Sequence, residues 1–215
     1  MMAKGSFPWI SGIFLFTIAS WVAFNKFKVS GSFKTSAILF LLFVIGFILS
    51  IFFIIFFRDP ERIPPGDEDD VVSPADGKVI SIQHRTVCIF MNIHNVHVNR
   101  APLSGTVTHI DYKPGGYIPA FNKDSDVNER NHVVFNTAAG TLELTQIAGV
   151  LTRRIVSYIS EGTYILRGER IGMIRFGSRV DVTIPEGYVF TVGLNDKVKA
   201  AETIIARKKD KEHKL

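Results

Sequence analysis

Three short stretches of this sequence contain side chains that could act together on a covalent bond. Residues 73–78 (SPADGK) place the acid Asp76 in a turn, residues 94–97 (HNVH) carry two histidines, and residues 175–180 (RFGSRV) contain a Gly-Ser step. A serine hydroxyl is a weak nucleophile unless a base takes its proton and a third group orients that base. An acid, a histidine and a serine are therefore the residue types needed to activate a hydroxyl nucleophile.

Each stretch also has an ordinary structural explanation. Asp-Gly is common turn chemistry, and a Gly-Ser step between two apolar runs is typical of a bulge or a hairpin turn. The step is not the nucleophile elbow of serine hydrolases, because no G-x-S-x-G pattern surrounds Ser178. Spacing does not show that the three stretches meet, so the residue pattern leaves both interpretations open.

The two histidines allow a different interpretation, a membrane-bound zinc hydrolase. His94 and His97 follow an apolar run, and residues three apart point to opposite faces of a strand, so their side chains converge only across a turn or a bulge. A catalytic zinc normally has three protein ligands, and no convincing third ligand lies nearby in the sequence. We therefore predict no metal site. The single cysteine, Cys88, excludes an intramolecular disulfide.

The elements that position these stretches begin with two apolar segments, residues 7–24 and 37–57. They contain 18 and 21 residues without a charge, and about 20 helical residues cross a hydrocarbon core of about 30 Å. Trp9 and Trp21 lie towards the two ends of the first segment, where indole rings favour the headgroup region. A removable signal peptide fits poorly, because the second segment follows so closely. The sequence predicts a transmembrane helical hairpin with both of its ends on one side.

Charge is distributed as unevenly as hydrophobicity. Residues 1–57 contain four lysines and no acidic residue, whereas the rest of the chain carries 21 basic and 20 acidic residues. This pattern is typical of a membrane protein and argues against a nucleic-acid-binding surface, which needs basic residues clustered on the folded domain. The lysines between the two segments are nearly balanced by basic residues outside them, so the positive-inside rule does not decide the orientation.

Beyond the hairpin the pattern changes. Residues 58–70 contain three prolines and six acidic residues, which predicts a stiff polar linker. Residues 71–215 are rich in short β-branched runs separated by Gly, Pro, Asn and Asp. They predict a mostly β domain, either a sandwich or a small, partly closed barrel, with a charged, frayed tail over residues 207–215. The predicted strands are 78–83, 87–93, 106–112, 132–136, 142–147, 153–159, 171–176 and 179–184.

Taken in order along the chain, the motifs resemble those of the short, membrane-anchored phosphatidylserine decarboxylases, a family that includes archaetidylserine decarboxylase-like members. Any one motif is weak, but six in order behind an apolar anchor are specific. One departure is that long members read Leu-Gly-Ser-Thr where this chain reads Phe-Gly-Ser-Arg. The motifs are Phe57-Arg58-Asp59-Pro60, Ser73-Pro74-Ala75-Asp76-Gly77, His94-Asn95-Val96-His97, Gly115-Gly116, Asn128-Glu129-Arg130-Asn131 and Gly177-Ser178-Arg179.

The resemblance implies that the chain is a zymogen that cuts itself between Gly177 and Ser178. Asp76 would orient His97, and His97 would help to deprotonate Ser178. The hydroxyl would attack the Gly177 carbonyl, and elimination and hydrolysis would turn Ser178 into a pyruvoyl group. Glycine suits this position, because it lacks a Cβ and leaves its carbonyl open to attack. The products would be a large chain, 1–177, and a small chain, 178–215, that stay together as a heterodimer.

The resemblance also implies the reaction and its setting. The pyruvoyl ketone would act as an electron sink for decarboxylation of a serine phospholipid, phosphatidylserine or its archaeal ether counterpart, to the ethanolamine lipid. His94 would support decarboxylation or return the proton. The substrate-binding candidates are Gly115, Gly116, Asn128, Glu129 and Arg130. The hairpin would hold the enzyme in the cell membrane with its catalytic domain in the cytoplasm.

Two matters stay open at this stage. A membrane-tethered β-barrel binding module of the lipoyl or sugar-transport type is the main alternative, because such folds also place S-P-A-D-G-like turns beside histidines. The sequence also leaves open the diacyl or ether nature of the lipid, and whether copies of the chain form a homo-oligomer.

Overall fold

The computed structural model describes residues 1–29, 31–116, 127–149, 155–175 and 178–212. The chain divides into two compact units, Met1–Pro60 and Glu61–Leu215. The first unit is helical and the second is built mainly from strands.

The first unit is a pair of long apolar helices. Helix α1 spans Phe7–Val29 and helix α2 spans Phe33–Phe56, with mean hydropathies of 1.7 and 3.3 over their most apolar windows. The helices touch where small side chains meet, and the Thr17 and Ser50 hydroxyl oxygens lie 3.2 Å apart. Most of their large apolar side chains stay exposed, as expected for surfaces that face lipid rather than a protein core. Both helices are long and apolar enough to cross a membrane. This confirms the predicted pair of apolar helices, which could form a transmembrane hairpin.

The second unit contains short strands and one short helix. Its elements are β1 (Val71–Val72), β2 (Gly77–Gln83), β3 (Thr86–Met91), β4 (Val98–Arg100), β5 (Gly105–Lys113), β6 (Arg130–Thr137), β7 (Gly140–Ala148), β8 (Ile155–Ser157), β9 (Tyr164–Ile165), β10 (Arg170–Ile174), β11 (Ser178–Thr183), β12 (Tyr188–Phe190), β13 (Lys197–Val198), β14 (Ile204–Lys208) and α3 (Lys209–Glu212).

The strands form one large antiparallel sheet and two small ones. The large sheet has the order β13-β2-β3-β11-β7-β6-β5-β9, and the small sheets have the orders β4-β10-β8 and β1-β14-β12. Alternate side chains of the large sheet point into a shared core, as the buried and half-buried positions of β3 and β11 show. This curled sheet with smaller sheets beside it confirms the prediction of a mostly β domain.

The structure differs from the predicted elements mainly at their ends. Strand β3 ends at Met91 rather than at residue 93, because the Asn95 side-chain oxygen accepts a hydrogen bond from the Asn92 N–H at 2.8 Å and closes a turn. The strand predicted over 153–159 is observed as Ile155–Ser157, and residues 153–154 lie outside the described residues. The predicted tail also begins too early, since Arg207 and Lys208 belong to β14.

Residues 61–70 form most of the predicted linker, 58–70, but they belong to the second unit. Arg62 is buried against Asp76, and the Arg167 guanidinium donates hydrogen bonds to the carbonyl oxygens of Pro65 and Asp70, both at 3.0 Å. Because these bonds join the segment to distant strands, residues 61–70 are part of the packed β unit.

Candidate active site

Ser178 begins strand β11 and lies in the interior of the β unit. In the sheet register it lies directly opposite Met91 on β3 and Ala148 on β7, and we call such opposite residues Cα partners. The side chain of Ser178 is fully buried. The Ser178 hydroxyl donates a hydrogen bond to the Met91 sulfur, with 3.3 Å between Oγ and Sδ. The predicted nucleophile is therefore held between two strands and away from bulk water. Gly177 and Phe176, which complete the predicted cleavage site, lie outside the described residues.

His97 is buried just before strand β4. Its Nδ1 lies 2.9 Å from the Asn95 carbonyl oxygen. A carbonyl oxygen can only accept, so Nδ1 carries the proton of this bond, and in a neutral ring Nε2 is then the nitrogen that can take up another proton. The His97 carbonyl accepts a hydrogen bond from the Ile174 N–H at 3.2 Å. His97 is thus tied to the end of β10, the strand that leads towards Ser178.

His94 occupies a different environment from His97, although only two residues separate them. It lies in the turn formed by Asn92 and Asn95 and is exposed, whereas His97 is fully buried. The turn at residues 92–95 ends strand β3 before His94, but it does not bring the two imidazoles into one environment. An exposed imidazole is accessible to a substrate, whereas the buried His97 is confined to groups within the fold.

Asp76 is part of a buried ion pair with Arg62. The carboxylate accepts two hydrogen bonds from the guanidinium, one of them at 2.9 Å between Nη2 and Oδ2, and a third from the Ala200 N–H at 2.8 Å. Arg62 also donates to the Ala200 carbonyl at 2.8 Å and lies 3.2 Å from the Glu202 carboxylate. Asp76 therefore joins the first residues of the β unit to residues near the C-terminus.

The contacts of Asp76 and His97 in the described residues are with other groups, and the predicted pairing of the two side chains stays a prediction. The carboxylate binds Arg62 and Ala200, and the oxygen placed against His97 Nδ1 belongs to the Asn95 backbone. Sequence reasoning did not identify Arg62, because it fell in the expected linker. A buried carboxylate requires a cation partner, but the burial of Asp76 became visible only in the structure.

The predicted substrate-binding segments meet beside Ser178. A Cβ on Gly115 would overlap the backbone of Asn128 and Glu129, so only glycine allows this approach. The Gly116 N–H donates to the Val127 carbonyl at 2.7 Å. The Asn128 amide donates to the carbonyl of Ala148 at 2.9 Å, and Ala148 is the Cα partner of Ser178.

Glu129 and Arg130, which follow Asn128, differ in burial and in their contacts. The Ala148 N–H donates to the Glu129 carbonyl at 2.9 Å. The Glu129 carboxylate is buried and accepts hydrogen bonds from the Tyr112 hydroxyl at 3.0 Å and the Ile155 N–H at 3.3 Å. Arg130 is half-buried at the start of β6, with Lys113 and Ile147 as its Cα partners. Glu129 is thus committed to internal bonds in this structure.

A buried group of three side-chain amides reaches Met91, the residue opposite Ser178 in the sheet. We call Asn99, Gln146 and Asn131 the amide cluster. Gln146 donates to the Asn99 side-chain oxygen at 2.8 Å, and Asn131 donates to the Gln146 side-chain oxygen at 3.0 Å. The Asn99 amide nitrogen lies 3.7 Å from the Met91 sulfur and 3.4 Å from the Pro74 carbonyl oxygen.

The amide cluster links stretches that are far apart in the sequence, including the SPADG turn through Pro74 and the segment after His97 through Asn99. Sequence reasoning missed Asn99 and Gln146. The signal for Gln146 was its place in residues 140–148, where it falls on the same inward face as Leu142 and Leu144. A polar residue at such a position requires hydrogen-bond partners.

Metal binding has no support in the described contacts. Within the part of the chain that the structure describes, no three His, Cys, Asp or Glu side chains are grouped so that they could hold a metal ion.

The family described as phosphatidylserine decarboxylase matches residues 49–206 of this chain. This range contains Ser178, both histidines, Asp76 and the amide cluster.

Named proteins match over nearly the whole chain. A Methanococcoides burtonii protein provisionally named archaetidylserine decarboxylase proenzyme is 47% identical, over 98% of each chain. A Streptomyces coelicolor protein named phosphatidylserine decarboxylase proenzyme is 46% identical, over 96% of this chain and 92% of its own length. Among solved structures, lysostaphin matches 61% of this chain and 53% of its own, with a TM-score of 0.31 and 12% identity, too low to inform the fold.

Proposed function

Because this chain belongs to the phosphatidylserine decarboxylase family, we propose that it decarboxylates a serine phospholipid to the corresponding ethanolamine lipid. The observation that supports this most directly is Ser178, a fully buried serine at the start of a central strand, with His97 tied to the strand that precedes it. The substrate is phosphatidylserine or archaetidylserine, since relatives with either name are almost equally similar to this chain.

The enzyme first matures by cutting itself between Gly177 and Ser178. The Ser178 oxygen attacks the Gly177 carbonyl carbon, the peptide C–N bond breaks, and an ester to Ser178 forms as its nitrogen becomes an amine. Loss of the Cα proton then breaks the Cβ–Oγ bond and releases Gly177 as a carboxylate. The dehydroalanine left at residue 178 takes up water and releases ammonia, giving the pyruvoyl group. The net reaction consumes one water and needs no oxidant or reductant.

His97 is the base for the first step. Its Nδ1 proton is held by the Asn95 carbonyl, which orients the ring and leaves Nε2 as the proton acceptor. A backbone carbonyl thus takes the orienting position that an acid occupies in many triads. Asp76 is proposed to support His97 less directly, because its ion pair with Arg62 holds the SPADG turn in place.

A pyruvoyl group formed from Ser178 would supply a ketone as the electron sink for the decarboxylation. The residues fit its formation, since Ser178 provides the side chain and its hydroxyl is held by Met91. His94 is proposed to act in the lipid reaction as the proton donor, because it is exposed to substrate. The segment of Gly115, Gly116 and Asn128 lies beside Ser178 and is proposed to bind the headgroup, with Glu129 and Arg130 as its flanking residues.

The two chains produced by cleavage would remain associated. Strand β11 belongs to the small chain, 178–215, and is hydrogen-bonded on one side to β3 and on the other to β7 of the large chain. The bond from the Ala200 N–H to Asp76 and the ion pair of Arg207 with Asp70 also cross between the chains. Separating them would break a continuous sheet, so a stable heterodimer is expected.

The apolar hairpin gives this reaction its location. Two helices of membrane-spanning length precede the β unit, and a substrate with two long chains is confined to a bilayer. We propose residues 1–57 as the anchor and residues 71–215, together with the segment 61–70 packed against them, as a catalytic domain that faces the cytoplasm.

The test is a decarboxylation assay of the full-length protein in detergent micelles. Release of carbon dioxide and of the ethanolamine lipid is measured with phosphatidylserine and, separately, with archaetidylserine, and the ratio of kcat/KM identifies the preferred backbone. The wild type is expected to convert at least one of the lipids, whereas Ser178→Ala converts neither. No conversion of either lipid by fully cut protein would contradict the proposal.

A further inference from the structure

We propose that the Met91 sulfur sets the Ser178 hydroxyl for self-cleavage, and that Asn99 is the positioning residue that holds this sulfur. The proposal rests on the function proposed above and adds to it residues that act on the nucleophile before the chain is cut.

The sheet register places the sulfur beside the hydroxyl. Met91 and Ser178 are Cα partners in the antiparallel pair of β3 and β11, and both are fully buried. The hydroxyl donates to the sulfur at 3.3 Å, and the Asn99 amide nitrogen approaches the same sulfur at 3.7 Å. Two donors therefore converge on one thioether, which fixes its position on both sides.

A thioether is suited to this position. A hydrocarbon would leave the buried hydroxyl without an acceptor and free to rotate, whereas a carbonyl or carboxylate would bind its proton strongly and compete with the base. Sulfur is a weak acceptor. It directs the hydroxyl of Ser178 and still releases the proton to His97.

Asn99 is itself held rigidly by bonds at both ends of its amide. Its oxygen accepts a hydrogen bond from Gln146 at 2.8 Å, and its nitrogen lies 3.4 Å from the Pro74 carbonyl oxygen. Gln146 is in turn fixed by Asn131. All three members of the amide cluster are at most 2% exposed. Buried amides are costly unless they are hydrogen-bonded, and the bonds of this cluster hold the Asn99 nitrogen 3.7 Å from the sulfur that contacts Ser178.

The contact has a distinct place in the reaction sequence. The Ser178 oxygen leaves with the Gly177 carboxylate during cleavage, so its bond to Met91 exists only in the precursor. Loss of the sulfur should therefore slow self-cleavage more than it slows turnover by molecules that are already cut. A residue that serves only packing would slow self-cleavage and turnover alike, because its loss would lower the fraction of folded molecules.

The experiment compares Met91→Leu with the matched control Met173→Leu in the full-length chain. Both methionines are buried, and leucine conserves their volume, so both variants are expected to fold. The first-order rate of self-cleavage of newly synthesised precursor is followed on denaturing gels. Loss of one hydrogen bond at the nucleophile predicts a rate about tenfold lower for Met91→Leu, with Met173→Leu within about twofold of the wild type.

A second variant, Asn99→Ala, tests the positioning role. If Asn99 acts through the sulfur, Asn99→Ala slows cleavage in the wild type but has little further effect in the Met91→Leu background. Equal slowing in both backgrounds would show that Asn99 acts by another route and would overturn its assignment.

The outcomes separate this proposal from the proposed function. A wild-type chain that is never cut would refute self-cleavage itself. A wild-type chain that is cut, together with Met91→Leu cut at the same rate, would leave self-cleavage intact and refute the role of Met91. Slowing of cleavage and of turnover per cut chain by the same factor would also refute it.

Discussion

The side chains that surround strand β11 inside the β unit differ between its two ends. At its start, Ser178 shares a row with Met91 and Ala148, and the next row contains Gln146 and Asn131 beside Val180. Towards its other end, Val182 lies in a row with Val87, Leu144 and Val133, and every side chain in that row is aliphatic. The same sheet and the same inward face thus carry polar groups in one region and none in the other.

The difference shows where burial is used for stability and where it is used for chemistry. Aliphatic rows are stabilised by transfer from water alone, at about 25 cal/mol per Å² of apolar surface. A buried hydroxyl and buried amides lose hydration and are tolerated only because they bond to one another. We call these regions the Ser178 end and the aliphatic end. Substitutions at the Ser178 end should affect maturation or turnover, whereas substitutions at the aliphatic end should affect only stability.

The largest effect is expected at the Ser178 end from His97→Ala. Removing the proposed base should slow self-cleavage by about a thousandfold, while the folded fraction changes much less. The rate is measured on denaturing gels, with circular dichroism as the check on folding. Maturation at the wild-type rate would remove His97 from the base role.

His94→Ala should affect the second reaction rather than the first. Because His94 is exposed and is proposed to act on substrate, the variant is expected to be cut normally but to release carbon dioxide about a hundredfold more slowly. Turnover is measured per cut chain in micelles. Full activity would discard this assignment.

Asp76→Asn tests whether the Ser178 end depends on its supporting ion pair. Removing the buried carboxylate charge leaves Arg62 with the more exposed Glu202 as its acidic partner, which predicts a loss of about 3 kcal/mol in the free energy of unfolding together with poor self-cleavage.

The control for Asp76→Asn is the double variant Arg62→Leu/Asp76→Leu, in which no charge is left unpaired. It should regain most of the stability measured by chemical denaturation. If it also matured at the wild-type rate, Asp76 would have a structural role alone.

Leu144→Ala is the matching test at the aliphatic end. The cavity should lower the free energy of unfolding by about 2–5 kcal/mol. The cleavage rate of the folded molecules should stay within about twofold of the wild type. A large fall in that rate at full folding would erase the distinction between the two ends.

The smallest effect is expected at the surface, from Glu61→Gln. A hydrogen bond from Arg170, at 2.8 Å, lowers the pKa of the exposed Glu61 carboxyl from its ordinary value of 4.5. A lowered folded-state pKa means that the stabilisation is present above pH 4.5 and is lost as the pH falls through the lower folded-state value. The variant should lower Tm by about 1–2 °C at most near neutral pH, and the difference should vanish in acid. A constant difference at all pH values would exclude this ion pair as its cause.

The sequence predicted the longer strands and both helices because each has a local pattern, period-two alternation or an uninterrupted apolar run. It did not predict strands such as Val71–Val72, which are too short to show a pattern and depend on pairing with distant residues. The pairing of Asp76 with Arg62 was missed for the same reason, because it is set by tertiary packing. Gln146 was partly predictable, since period two alone places its polar side chain inwards.

The central claim, that Ser178 becomes a chain terminus without an amino group, is tested most directly by intact-mass analysis of the purified wild-type protein under denaturing conditions, with Ser178→Ala beside it. We predict two masses for the wild type, one for residues 1–177 and one for residues 178–215. The second mass should be lower, by the mass of one ammonia, than that of the same residues with an intact serine at the amino terminus. Ser178→Ala should give one full-length mass. A wild-type chain of full length that still releases carbon dioxide from a serine lipid would contradict the account.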